Sequence, residues 1–291
     1  MESKKNMLRA LSANGGSVFC GLDSTEIVRR MEELHKTSAV CSAALGRLLT
    51  AASLMGIMLK NPQDSLTLRV KGDGPAGLLL AVSDGSGCVK GYVANPVVEI
   101  PSRPDGKLDV GGAVGHEGTL SVVRDLGLKE PYVGMVPLVS GEIAEDITSY
   151  YASSEQVPTV CALGVLVNPN LTIRCAGGFL LQLLPGATEE EISRLESNIA
   201  ALPSVTEMLK EGATPYTIME KVMAGFAPQV LDEYQVEYRC DCSLQRTEKA
   251  LLSLGKKELE KLAKEEEKAE VVCQFCNQKY QVDLTELMKK V

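Results

Sequence analysis

Apolar positions along the chain change period several times, and each change marks an element. Asp23 with Glu26 reads as a helix N-cap and its first-turn partner, and Ile27, Met31 and Leu34 then recur at helical spacing. The pattern restarts after Lys36-Thr37-Ser38 with Val40, Ala44, Leu48, Ala51 and Met55, until Asn61-Pro62 ends it. Two consecutive helices, or one bent helix, are predicted. From Ser65 the period becomes two, with Leu66, Leu68 and Val70 alternating with polar residues as in a half-buried strand. Gly77–Val82 and Cys88–Val93 flank Ser83-Asp84-Gly85-Ser86-Gly87, which predicts a hairpin. A Gly-rich stretch, Gly111–Gly118, precedes the strand-like Thr119–Val123, and Gly141–Glu155 reads as a helix. Thr159–Val167 and Leu171–Ala176 flank the turn Asn168-Pro169-Asn170, and Phe179–Leu184 suits a further strand.

Leu184-Pro185-Gly186-Ala187 breaks this mixed pattern. Thr188 then caps a helix opened by three glutamates, with Ile192, Leu195 and Ile199 on one stripe. Pro203 and Pro215 cut the following stretch into helical pieces too short to be stable alone in water. Such pieces need an apolar platform, and the N-terminal part of the chain is the obvious one. From Arg239 the character changes again. Lys256–Glu270 holds 11 charged residues, with Leu259 and Leu262 as its large apolar positions, and reads as a solvated helix or loop. Lys279–Val291 combines a strand-like start with a short terminal helix. The expected class is α+β, in three parts: a mixed core domain over 1–186, a helical linker over 187–238 and a small C-terminal module over 239–291.

Composition narrows the function. The chain has 291 residues, 45% of them hydrophobic, enough for about two domains with a sizeable core. Its apolar stretches read as strand-sized, so no membrane span is expected. The start, Met-Glu-Ser-Lys-Lys-Asn, leads into no apolar signal core, and a cytoplasmic protein is expected. The net charge of −8, the absence of Trp and an aromatic content of 4% all weigh against a nucleic-acid partner. No G-x-x-x-x-G-K-[ST] occurs, so no nucleotide is expected from that motif. Gly72-Asp73-Gly74-Pro75-Ala76-Gly77 matches G-x-G-x-x-G, but a strand rather than a helix follows it, and it reads as a β-turn. His116-Glu117 sits in the Gly-rich stretch without a second metal-spaced histidine and reads as surface loop.

The strongest chemical signal is Cys240-Asp241-Cys242 followed, after 30 intervening residues, by Cys273-Gln274-Phe275-Cys276. Two close thiol pairs supply four soft ligands, which suits one tetrahedral Zn²⁺. The other five, Cys20, Cys41, Cys88, Cys161 and Cys175, are scattered singly and read as small buried hydrophobes. A four-thiolate site admits several roles. It serves as a structural module, or as a nucleic-acid ribbon, which the near-balance of 11 basic and 10 acidic residues over 239–291 disfavours. A hydrolytic zinc needs an open ligand position, which four cysteines close. A redox switch is the remaining role, since zinc-held thiolates react with oxidants and structural zinc carries roughly 10–16 kcal/mol of folding free energy.

The chain resembles the 33 kDa chaperonin family, the redox-regulated heat-shock holdases of bacteria. The resemblance runs end to end. Besides the two cysteine pairs it rests on Lys71–Gly77, Gly91–Pro96, Gly112–Gly118, Tyr150–Pro158 and Gly177–Gly186. It implies an ATP-independent chaperone, not an enzyme, that is inactive when reduced and zinc-bound. Oxidation is then expected to form two disulfides, Cys240 with Cys242 and Cys273 with Cys276, to release zinc, and to unfold the module and loosen the linker. Unfolding client proteins are the implied partners, through contact residues the resemblance leaves unknown, and activation goes with homodimerisation. Two rivals remain at this level: a thiol–disulfide oxidoreductase using Cys273 and Cys276, and a nucleic-acid-binding zinc module.

Overall fold

A computed structural model describes residues 5–289. Residues 1–4, on which the expected lack of a signal core partly rests, and the last two of the expected terminal helix lie outside the described residues. The chain divides into two compact units, Met1–Tyr238 and Arg239–Val291.

The first unit holds two five-stranded antiparallel sheets. One runs β10 (Gln229–Tyr234), β1 (Met7–Leu11), β2 (Ser17–Asp23), β9 (Ile173–Leu183), β8 (Thr159–Val167). The other runs β5 (Val89–Val93), β4 (Leu78–Asp84), β3 (Ser65–Gly72), β6 (Gly118–Asp125), β7 (Tyr132–Pro137). Between them lies α2 (Ala39–Gly56), touching β3, β4 and β5 on one side and β2, β8 and β9 on the other. By length and composition α2 would cross a membrane, a span-sized apolar segment that the reading of strand-sized stretches missed. Its all-round apolarity has another cause: nearly every side chain, from Val40 to Met55, is buried in the core between the sheets. The helix α1 (Thr25–His35) precedes it, as the spacing predicts. Ser24 is its N-cap residue, while Asp23 Oδ1 accepts from the Thr25 N–H at 3.0 Å.

The sheet with β9 is buried on both faces. Ala176 and Leu180 of β9, with Cys20 and Leu22 of β2, face α2. Phe179 and Leu181, with Phe19 of β2, face a second core on the far side. That face is covered by three short helices, α5 (Glu189–Ala200), α6 (Val205–Lys210) and α7 (Pro215–Val222). Leu195, Val205, Met208, Leu209, Ile218 and Met219 supply their side of this core. Each helix starts with a hydroxyl cap, from Thr188, Ser204 and Thr214 in turn, that accepts from the backbone N–H three residues on. Helix α6 comes so near the sheet that a Cβ on Gly164 of β8 would stand 2.7 Å from Thr206 Cγ2. The expected linker thus lies within the first unit, on an apolar platform.

Several elements differ from expectation. The strand signal at Phe179–Leu184 and that at Leu171–Ala176 are one continuous strand, β9. The Gly-rich segment opens with a short helix, α3 (Val110–Val114), capped by Asp109 Oδ1 on the Gly112 N–H. The helix at Gly141–Glu155 is α4 (Ala144–Tyr150) followed by a π-helical turn, Tyr151–Glu155. The strands β1, β2 and β7 carried no alternation signal. The stretch 187–238 ends not in helix but in β10, which adds to β1 as an edge strand.

After β10 the chain crosses to the other sheet. Val89 N–H donates to Glu237 O at 3.0 Å. The Tyr238 hydroxyl accepts from the Gly91 N–H at 3.2 Å and donates to the Gly91 carbonyl at 2.8 Å.

The second unit comprises α8 (Leu244–Leu252), α9 (Lys256–Glu265), β11 (Lys268–Val272), β12 (Lys279–Asp283) and α10 (Leu284–Met288). The charged stretch is a helix followed by a strand, and Leu259 is its anchor, fully buried with Val282, Leu284 and Leu287.

Candidate metal centre

The two cysteine pairs lie on the ends of different elements. Cys240 and Cys242 precede α8, whose first turn is capped by Ser243 Oγ accepting from the Arg246 N–H at 3.2 Å. The Arg246 guanidinium returns to pair with the Asp241 carboxylate, between the two ligands. Cys273 and Cys276 occupy the turn of the β11–β12 hairpin. That turn is closed by main-chain bonds from Cys273 N–H to Gln278 O at 2.9 Å and from Asn277 N–H to Cys273 O at 2.8 Å. Asn277 takes the left-handed conformation there, at φ 58°, which Asn tolerates better than most side chains.

These two loops bring the four sulfurs within 4.8 Å of one another. Cys240 Sγ stands 3.7 Å from Cys273 Sγ, and Cys242 Sγ stands 3.3 Å from Cys276 Sγ. A tetrahedral ion with sulfur bonds of about 2.3 Å sets its sulfurs roughly 3.8 Å apart. The cage therefore fits a tetrahedral, thiophilic cation such as Zn²⁺, and all four cysteines are half-buried.

The thiols are not equivalent. Burial pushes Cys240 far up, and the neighbouring thiols add to the rise. Burial also pushes Cys276 up. At Cys242 burial again acts upward, but hydrogen bonds from the Tyr280 hydroxyl and the adjacent thiols outweigh it and hold the group below the usual thiol range. The Tyr280 hydroxyl lies 3.1 Å from Cys242 Sγ, and this bond raises the phenol to about 12. Tyr280 was not singled out by the sequence. Its signal was the period of two in β12, which puts Tyr280 on the same face as the buried Val282, four residues after the last ligand.

The other residues weighed earlier fall elsewhere. His116 and Glu117 are exposed, with His116 Nδ1 2.9 Å from the Ser140 carbonyl oxygen. Gly72–Gly77 is the turn between β3 and β4 and opens no helix. Cys20, Cys41, Cys88, Cys161 and Cys175 are all buried in the first unit. Burial raises Cys20 to about 12 and pushes Cys41, Cys161 and Cys175 up as well.

Known proteins match this chain over nearly its whole length. The Hsp33 protein family profile matches residues 5–283. The 33 kDa chaperonin of Clostridioides difficile strain 630 is 51% identical over 283 residues, covering 97% of each chain. That of Lachnoclostridium phytofermentans is 48% identical over 281 residues, covering 97% of this chain and 96% of its own. The crystal structure of the 33 kDa chaperonin (heat shock protein 33 homolog) of Thermotoga maritima superposes with a TM-score of 0.89 at 39% identity, covering 99% of both chains. This chain belongs to the Hsp33, or 33 kDa chaperonin, family of chaperones.

Proposed function

We propose that this chaperone is an ATP-independent holdase whose activity is switched by the redox state of Cys240, Cys242, Cys273 and Cys276. The observation that carries the reading is the convergence of four thiols on a unit with a very small core. In the second unit only Leu259, Val282, Leu284 and Leu287 are fully buried among the described residues. So few buried side chains do not offset the ordering of some fifty residues, and such a unit needs a staple. Zn²⁺ held by the four thiolates would supply that staple, worth on the order of 10 kcal/mol of folding free energy.

In the reduced state the thiolates bind, and α8 and the β11–β12 hairpin are held together at their ends. Oxidation converts two thiolates at a time to a disulfide, Cys240 with Cys242 and Cys273 with Cys276, passing two electrons per bond to the oxidant. A disulfide sulfur is a poor ligand, so the staple is lost and the module over 239–291 unfolds. Tyr238, two residues before Cys240, then anchors a frayed end rather than a folded one. The linker over 187–238 loosens from the sheet, and Phe19, Phe179, Leu181 and Leu8 become available to apolar segments of unfolding clients. Pairing of two activated copies would share that exposed surface. Function of this kind in the cytoplasm requires neither a nucleotide nor a catalytic residue.

Light scattering from an aggregating, denaturant-unfolded client tests the reading. The reduced, zinc-loaded protein should leave aggregation unchanged, and the same protein after peroxide at mild heat should suppress it at stoichiometric amounts. Equal suppression by both forms would leave a chaperone but remove redox control from the cysteines. Suppression by neither would return the four thiols to a structural metal site.

A further inference from the structure

Among the described residues, Cys242 alone of the four sulfurs carries a hydrogen bond from a side-chain hydroxyl, Tyr280 Oη at 3.1 Å. The contact is built in, not incidental. Tyr280 sits on β12 opposite Val271 of β11, and both side chains share the face that carries Val282 and Ala269 toward the small core. On the other face of the same strand Lys279 Nζ donates to Glu270 at 2.9 Å and Gln281 Nε2 donates to Glu270 at 3.1 Å. These bonds tie the outer face of the hairpin, while its register opposite Val271 sets the face on which the phenol lies.

Resting on the redox-switch reading, we infer that Tyr280 is a positioning residue that restrains Cys242, slowing its oxidation and strengthening its hold on the cation. A hydroxyl donated to a thiolate is charge-assisted and draws electron density from the sulfur. The nucleophilicity of a thiolate falls with its basicity, so the lone pair that must attack an oxidant is less available. The Cys242 sulfur gives an electron pair to one oxygen of a hydroperoxide, the O–O bond breaks, and hydroxide (or alkoxide) leaves with a sulfenic acid on sulfur. A neighbouring thiolate attacks that sulfur, an S–S bond forms, and a second hydroxide leaves. Outer partners of this kind also orient a ligand, and their removal weakens metal binding by about 10–100-fold.

The test uses the full chain, reduced and zinc-loaded, with Tyr280→Phe, which keeps the ring and removes the hydroxyl. Zinc release under excess hydrogen peroxide is followed with a chromogenic chelator, and the modification of each cysteine is resolved by mass spectrometry. Tyr280→Phe should release zinc about three- to tenfold faster and bind it ~10-fold more weakly in chelator competition, with Cys242 modification rising relative to Cys276. Val271→Ala, which loosens the hairpin but keeps the hydroxyl, should raise all four modifications in parallel. An unchanged release rate in Tyr280→Phe, or a parallel rise across all four cysteines, would overturn the role of Tyr280 while leaving the switch intact. Wild-type protein that holds no zinc, or keeps it under peroxide, would overturn the switch itself and the role of Tyr280 with it.

Discussion

At the scale of single residues, the nine cysteines form two chemical populations. Five are enclosed by the first unit, and burial alone pushes Cys161 far above the usual thiol range. Four are half-buried and face one another. Iodoacetamide at pH 8 should therefore label four thiols of the chelator-treated protein while its first unit stays folded, and all nine only in denaturant. Intact-mass measurement checks this, and a fifth adduct in the folded state would contradict it. The pH dependence of stability follows the same residues. An unfolded thiol ionises near 9.0, whereas Cys20 keeps its proton to about 12. The folded pKa is the higher one, so the contribution of Cys20 is whole below pH 9 and is lost as pH rises toward 12. The clustering of all four thiols was readable from spacing, because two close pairs leave little else for the thiols to do. Tyr280 was not readable, since a phenol four residues from a ligand reaches sulfur only when the hairpin register aims it.

At the scale of elements, the covering helices carry the testable weight. Each of α5, α6 and α7 is short, and each depends on its hydroxyl cap and on side chains such as Leu195 and Met219 sunk into the sheet face. Leu195→Asp combined with Met219→Asp places two charges in that core, at a cost of at least about 3 kcal/mol for each lost apolar side chain. The double variant should suppress client aggregation without oxidant, read by light scattering, while its zinc content stays at the wild-type level. Unchanged client binding would sink the idea that these helices mask the client surface. The stripe of Ile192, Leu195 and Ile199 was legible because α5 is amphipathic with one buried side. Strand β2 was not, because both of its faces are buried and Val18, Phe19, Cys20 and Leu22 show no alternation. Strand β7 failed for the opposite reason. It is an edge strand with Tyr132, Val133 and Met135 exposed, so its apolar residues follow no buried face.

At the scale of the whole molecule, the two units should part company energetically. The first has two sheets sharing a helix and a core on each side of one sheet. The second has one small core and a thiol cage. Removing metal with a strong chelator under reducing conditions should abolish amide protection over 239–291 while the strands of the first unit keep theirs. Hydrogen exchange with mass spectrometry reads this directly, and persistent protection of β11 and β12 without metal would refute metal-dependent folding. By itself, the sequence determined what local chemistry and period can carry: the α1–α2 pair, the alternating strands and hairpins, the capped helices after Thr188, and the candidate cluster of Cys240, Cys242, Cys273 and Cys276. Those features depend on neighbours a few residues away. Only the tertiary structure decided that α2 is a core helix and not a span, that β10 returns to pair with β1, that α5–α7 cover Phe19 and Phe179, and that Tyr280 meets Cys242. Each of these joins residues far apart in the chain, and the free energy that selects them comes from burial and register, which exist only once the sheets have formed.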